Sequence, residues 1–505
     1  MNVYTVEEMR ERDRNTMIQH NMDILTLVDR ATDEILDVLV SSICPQPEGK
    51  QFLVVCGKGN NGADGLSLAG KLKNLGSRVV AIMIQPQEFW SEEVRTLAHS
   101  LGEVFIWDEV SVERWDEWVA GSRYIVDAIL GTGCRGEMEP AVAAAIAQIN
   151  ETGLPVISLD LPSGIRGNNG QACEIAIKAT YTIVVDGYKT GNLMGSSSVY
   201  SGELLLTKEV GLWTSSNPDY KKTMLERNQQ KLPSRSKAAH KYDFGKLVVI
   251  GGSRGMEGAG FLAAMAGLRT GCGVSQLLSC ENWEARKMSF YPELMVDTFF
   301  DHQGLMEKLK KTNAVVFGPG TVYVERDVEY VQEIMESDIP LVLDGGAIPL
   351  LNDLRDRIQL SKHRLIVTPH TGEMARLFRV TSRDVLEDPV YFITSFLESY
   401  QVDLVMKGPC TVIASGQEMF FSYGPNSGMA TAGSGDVLSG LIGGFLAQGC
   451  SNEEAMKSGV LVHQEAGNAA RKIYGERSMT STDILSNIYK GIHGLEQTIA
   501  EDVKG

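Results

Sequence analysis

Short runs of Val, Ile and Leu alternate with helix-period segments from one end of the chain to the other. In the first half the runs are QFLVVCG, SRVVAIMI, YIVDAILG, PVISLDLPSG and YTIVVDG. In the second they are KLVVIGG, GVSQLLS, NAVVFGPG, PLVLDGG, HRLIVTPH and VDLVMKG. Their apolar stretches are continuous rather than alternating with polar positions, as suits strands covered on both faces. Between them lie segments such as GLSLAGKLKNLG, which puts Leu68, Leu72 and Leu75 on one helical face with Gly76 as the stop. Strands joined by helices in this way predict parallel sheets between helical layers, an α/β fold in both halves.

The pattern breaks near residues 212–240. SSNPDYKKTMLERNQQKLPSRSKAAHKYD is polar, basic and without apolar period, which predicts an inter-domain connection. The halves share no motif. Two different domains are therefore expected, at 1–215 and 241–505, joined by a linker over 216–240. A length of 505 residues also exceeds what one core usually supports.

Composition narrows the function classes. Hydrophobic residues make up 43% and charged residues 22%, ordinary for a soluble globular protein. The net charge of −17, with no Lys/Arg block, repels a polyphosphate backbone, so no nucleic-acid partner is expected. No apolar run reaches the roughly 18 residues of a membrane span, and MNVYTVEEMRERDRN lacks the apolar centre of a secretion signal. No membrane partner and a cytoplasmic location are the expectation. The eight Cys are scattered, with neither a C-x-x-C pair nor a His cluster beside them. They read as small core residues in a reducing compartment rather than zinc ligands.

In open parallel sheets, ligands bind outside the carboxyl ends of the strands. That rule selects Asn60, Asn61, Asp64, Asp127 and Asp160 in the first half, and Gly318, Gly320, Asp344, His370 and Lys407 in the second. In VVCGKGNNGADG, Gly57, Gly59 and Gly62 let the backbone approach a ligand. Asn61 could equally be a left-handed turn residue and Asp64 a helix cap, so this turn alone leaves both readings open. Asp127 and Asp160 lie in apolar strands, where an uncompensated carboxylate is expensive. Oxygens of Asn61, Asp127 and Ser163 could surround a monovalent cation, leaving Asp160 for proton transfer.

In the second half, Gly318-Pro319-Gly320 makes room for a bulky ligand, and Lys407 at a strand terminus suits a phosphate. TAGSGDVLSG sets Gly433, Ser434 and Gly435 at a helix start, where amides and the helix dipole favour anions. Asp436 is then either a helix-start residue or an acid/base held over a bound phosphate. Capping needs one Ser or Asp, not a preceding GMATAGSG. Phosphoryl transfer does call for such preorganised donors beside a base.

G-N-N-G-x-D, V-D-A-x-L-G-T-G and D-x-P-S-G occur in that order within about residues 1–215. This half resembles NAD(P)H-hydrate epimerase domains, with a Rossmann-like three-layer α/β/α fold. The resemblance implies a hydrate pocket lined by Asn60, Asn61, Gly62, Ala63, Asp64, Gly131, Thr132, Gly133, Cys134, Arg135, Gly136 and Glu137. It further implies K+ on Asn61, Asp127 and Ser163, and Asp160 touching the substrate as acid/base. Ala63 stands where a second Gly is common, and Cys134-Arg135 follow the Gly-Thr-Gly turn.

Residues from about 225 onward resemble ADP/ATP-dependent NAD(P)H-hydrate dehydratases of ribokinase-like fold. HKYDFGKLVVIGG, GPG, TPHTGEMARL, KGPCT and NSGMATAGSGDVLSG carry the likeness. It implies that Lys407, Gly408, Pro409, Cys410, Thr411, Gly433, Ser434 and Gly435 hold ADP, with Mg2+. Ala259, Gly320, His370 and Asp436 would contact the hydrate. DGGAI stands in place of Asp-Ala-Asp-Ala-Leu, leaving Gly346 where the family has an Asp, and Ala432 replaces a frequent Gly. The order of the halves is that of bifunctional repair enzymes acting on NADH and NADPH hydrates, and a homo-oligomer is expected. One alternative is a small-molecule kinase, for a vitamin precursor or sugar, with a non-catalytic N-terminal binding domain. Another makes the first half a scaffold for RNA or protein.

Overall fold

The computed structural model describes residues 1–505 apart from 135, 214–218, 228–231, 280–291, 358, 361–363 and 503–505. Two compact units divide the chain, Met1–Asp219 and Tyr220–Gly505.

The strands of the first unit are β1 (Val3–Tyr4), β2 (Gln51–Cys56), β3 (Arg78–Met83), β4 (Phe105–Ile106) and β5 (Tyr124–Ala128). They continue with β6 (Val156–Leu159), β7 (Tyr181–Val184), β8 (Tyr188–Lys189) and β9 (Glu203–Leu206). Seven of them form one sheet in the order β4-β3-β2-β5-β6-β7-β9, each neighbour parallel. β1 and β8 pair separately as a parallel ribbon. Continuous apolar strands are explained by burial on both faces. Phe52, Val54 and Cys56 pack with Leu66, Leu68 and Leu72 of the helix Asn60–Asn74. Leu53 and Val55 pack on the opposite layer with Trp115, Val142 and Ile146. Leu75, expected on the same helical face as Leu68 and Leu72, instead forms the C-cap and is exposed.

The second unit contributes β10 (Lys221–Met224), β11 (Lys246–Ile250), β12 (Val274–Ser279), β13 (Met295–Thr298) and β14 (Ala314–Phe317). After these come β15 (Leu341–Leu343), β16 (Leu365–Val367), β17 (Asp403–Met406), β18 (Cys410–Ser415) and β19 (Glu418–Tyr423). Their order is β10-β19-β18-β17-β16-β15-β14-β11-β12-β13, parallel except where β17, β18 and β19 run antiparallel. β10 corrects the expected linker. Residues 221–224 pair in parallel with β19, and Leu225 enters the core. A polar strand at the sheet edge carries no apolar run, so nothing in its pattern announced it.

The helices Glu257–Arg269 and Ser434–Ala447 touch through glycine. A Cβ on Gly440 would stand 2.0 Å from the Ala263 carbonyl oxygen, and one on Gly444 2.7 Å from that of Gly267. GLIGGFLA is therefore a close-packing surface, not a loose helix. Among the described residues, no helix is long and apolar enough to cross a membrane.

Candidate active sites

In the first sheet the strand order reverses at β2, so a crevice opens between the carboxyl ends of β2 and β5. Two glycines let the chain close around it. A Cβ on Gly57 would stand 2.0 Å from the Ile129 carbonyl oxygen, and one on Gly62 1.8 Å from that of Gly57. The helix Asn60–Asn74 starts here with Gly59 as an N-cap that has no side-chain bond. Asn61 is thus helical rather than left-handed, and Asp64 lies in the second turn rather than capping.

A cavity of about 410 Å³ occupies the crevice. Of the expected residues, Asn60, Asn61, Asp64, Gly131, Thr132, Gly133 and Asp160 line it. Gly62, Ala63 and Cys134 are buried away from that lining, and Gly136 and Glu137 are exposed outside it. Arg135 lies outside the described residues.

Asp127 is fully buried in β5. Its carboxylate accepts from Ser163 N at 2.9 Å, Ser163 Oγ at 2.5 Å, Ser158 Oγ at 2.7 Å and Ile129 N at 3.3 Å. Burial still raises its pKa against these donors. Asn61 Nδ2 is buried with no hydrogen-bond partner. A half-turn of that amide would present oxygen instead, an ambiguity inherent to Asn. Carboxylate, hydroxyl and amide oxygens are the kinds of group a hard cation takes, and Asp127, Ser163 and a turned Asn61 would supply one of each, though Asp127 and Ser163 lie outside the cavity lining.

Asp160 directly follows β6 in the left-handed region, with φ 66°. Its amide donates to Ile183 O at 2.8 Å, and its carbonyl accepts from Asn192 Nδ2 at 2.9 Å. The carboxylate is ion-paired with Lys189, which sequence reasoning missed. Lys189 lies two residues beyond VVDG, a lone cation that only the chain reversal aims at Asp160. Asp13, on the charged helix Val6–His20, also lines the cavity and belongs to no motif. Burial pushes Asp13 up to about 6, with Lys189 opposing and Asp160 reinforcing. Asp64 is driven well above the carboxylate range by burial, then by Asp160 and Asp13. Arg12 pairs with buried Asp186 at 2.6 Å and ties that helix to the cavity wall.

In the second unit, Ser434–Ala447 begins at Gly433, itself left-handed, with no side-chain cap. Asp436 in the first turn is not spent on capping. Burial first, then repulsion from Asp344, push it up to about 7, with Lys407 opposing and Glu373 adding. Lys407 follows β17, with Nζ 2.7 Å from Asp344 and 3.7 Å from Glu373. Burial disfavours its charge, but Asp344, Glu373 and Asp436 outweigh it and raise its pKa. A Cβ on Gly435 would stand 3.2 Å from that ammonium, which puts Lys407 against the amino end of the helix. Gly408 and Pro409 are exposed, Cys410 is buried in β18, and Thr411 Oγ1 donates to Gly408 O at 3.4 Å.

His370 caps the helix Thr371–Phe378. Its Nδ1 accepts from Gly372 N at 2.9 Å, and Glu373 accepts from His370 N at 2.8 Å. Burial, Lys407 and Arg376 lower its pKa, which favours the neutral ring, and the accepting Nδ1 leaves Nε2, 3.5 Å from Glu373 Oε1, as the donor. Gly320 is left-handed, and a Cβ there would meet Met256 O at 2.4 Å and Ala259 Cβ at 2.8 Å. A Cβ on Gly318 would meet Asp344 O at 1.8 Å. Ala259, the Gly-Pro-Gly turn and Asp344 are thereby joined in one wall. Asp344 keeps a role despite Gly346, as the partner of Lys407. His463 was also missed. It is half-buried, pushed down to about 4 by desolvation, and lies 3.2 Å from Ser434 Oγ inside an apolar-period helix.

The comparisons with known proteins follow this division. The family model described as YjeF-related protein N-terminus matches residues 25–191, and that described as NAD(P)H-hydrate dehydratase matches 247–490. A bifunctional NAD(P)H-hydrate repair enzyme of Moorella thermoacetica is 30% identical over 99% of this chain and 98% of its own length. Its counterpart from Coxiella burnetii is 30% identical over 96% of this chain and 98% of its own. A crystal structure of the ADP/ATP-dependent NAD(P)H-hydrate dehydratase of Bacillus subtilis, co-crystallised with ATP/Mg2+, is 24% identical with a TM-score of 0.48. It covers 53% of this chain and 96% of that one. This chain belongs to the family of bifunctional NAD(P)H-hydrate repair enzymes.

Proposed function

We propose that the chain repairs NADH and NADPH hydrated across the 5,6 bond of the nicotinamide ring, epimerising C6 in the first unit and dehydrating the S form in the second. The carrying observation is Asp436, poised near 7 beside uncapped amides at a helix amino end. A base in that range takes a hydroxyl proton at working pH, and the amides meet the transferring phosphoryl group. Asp436 removes the C6 hydroxyl proton, and the oxygen attacks the terminal phosphorus of ADP, releasing AMP. The ring nitrogen then expels phosphate, and loss of a C5 proton restores the dihydropyridine.

Lys407, Gly433, Ser434 and Gly435 hold the nucleotide phosphates, while Gly408, Pro409, Cys410 and Thr411 border the nucleotide. Ala259, Gly320 and His370 contact the hydrate, the neutral His370 offering its Nε2 proton to an oxygen. Asp344 and Glu373 are already engaged by Lys407, so Mg2+ would be held by the nucleotide phosphates, where it supplies charge neutralisation. In the first unit Asp160 handles the proton, and Asn61, Asp127 and Ser163 hold K+, which would offset the buried Asp127 charge. We also propose a cytoplasmic location and a homo-oligomeric state.

The test is direct. Hydrated NADH and NADPH are incubated with ADP or ATP while absorbance and free phosphate are followed. Equal amounts of restored NAD(P)H and phosphate are expected. A stable phosphorylated product would make the second unit a kinase instead.

A further inference from the structure

Lys189 ends β8 with 2% of its surface exposed. Its ammonium has the Asp160 carboxylate on one side and the Val185 carbonyl, at 2.8 Å, on another. Burying an ammonium costs several kcal/mol unless a counter-charge meets it. A purely structural filler at this position would be cheaper as an apolar side chain.

Three carboxyls line the same cavity: Asp13, Asp64 and Asp160. All three act on one another and on Lys189, with Arg12 and Asp186 as further charged neighbours of Asp13. Carboxyls crowded into a partly dehydrated space do not all ionise together. One ammonium supports one negative charge, and contact decides which. Lys189 gives its contact to Asp160, whose carbonyl is held by Asn192. The same asparagine accepts from the Lys189 amide at 2.7 Å, so acid and base are braced by one side chain.

We propose that Lys189 is a positioning residue of the epimerase, selecting Asp160 over Asp13 and Asp64 as the carboxylate that takes the proton. This rests on the role given to Asp160 above. Inverting C6 requires one group to accept a proton and another to give one. With Lys189 in contact with Asp160, Asp64, driven well above the carboxylate range by burial, keeps its proton and remains able to donate.

The experiment uses the full chain with the R hydrate and ADP, so that clearance requires epimerisation first. Clearance of the S hydrate by the same sample is the internal reference. Lys189→Met is expected to lower kcat for the R hydrate about 100-fold while KM stays within about threefold, as loss of an aimed acid/base group does. Lys189→Arg restores at least about a tenth of the rate, because charge rather than volume matters. Asp160→Asn combined with Lys189→Met is no slower than Asp160→Asn alone, since the pair acts as one. A Lys189→Met rate within about threefold of the parent, or a double variant as slow as the product of the singles, overturns the proposal. If Lys189→Met loses the near-ultraviolet dichroism of the parent, Lys189→Gln and Lys189→Arg are compared, and equal rates overturn it. Asp160→Asn at the parent rate would refute the Asp160 reading itself, whereas a dead Asp160→Asn beside a normal Lys189→Met refutes only Lys189.

Discussion

On the proposed reading a single carboxyl, Asp436, carries most of the chemistry in the second unit, and its surroundings set its working range. Asp436 lies near 7 because burial and Asp344 favour the protonated form more than Lys407 opposes it. Its base form is populated above that value, so kcat/KM for the S hydrate should rise with pH through about 7. Lys407→Met removes the opposing charge. The acid limb should then move to higher pH, read from a rate profile with saturating nucleotide. Asp436→Asn should cost about 10³-fold in dehydration while R and S hydrates still interconvert, followed by chromatography. GSGD, with more small residues than a cap requires, singled out Asp436 as a candidate, and the helix does start there without a side-chain cap. The loop between β8 and its neighbours was not legible, because Lys189 reaches Asp160 across 29 residues of chain.

At the scale of elements, glycine separates the legible from the hidden. The Gly-rich turns after β2 and β14 were read as candidate ligand sites, and both do bring backbone against backbone. The glycines of GLIGGFLA serve a helix crossing instead, and a pattern of small residues does not say which partner it meets. Gly440→Ala would press a methyl group against the Ala263 carbonyl, a rigid backbone atom. A loss of about 1–3 kcal/mol is expected, read as a lower denaturant midpoint at an unchanged slope. Dehydration should weaken with it, because the same crossing aims the amino end of the helix. Each of the eleven apolar runs read from the sequence is a strand, whereas short or edge strands such as β1, β4, β8 and β13 carry no such run and were not read. β10 escaped because an edge strand of Lys, Lys, Thr and Met has no such run.

That omission matters for the whole molecule. A cut at the expected boundary would leave 241–505, stripping β10 from β19 and Leu225 from the core. A fragment 220–505 should therefore unfold at a higher temperature than 241–505, with the difference visible by calorimetry. Equal transitions would mean that β10 adds nothing to the second unit. The order of the two halves was readable because each carries several independent motifs, and family membership follows from the full-length likeness.

The ribbon of Val3–Tyr4 beside Tyr188–Lys189 has a practical side at the bench. Polypeptide fused ahead of Val3, such as a purification tag, would load the strand that pairs with Tyr188–Lys189 beside the cavity of the first unit. Material tagged in that way would report slow interconversion of the hydrates with normal dehydration, an artefact easily mistaken for a sluggish epimerase. Tagging the other end of the polypeptide leaves that ribbon alone.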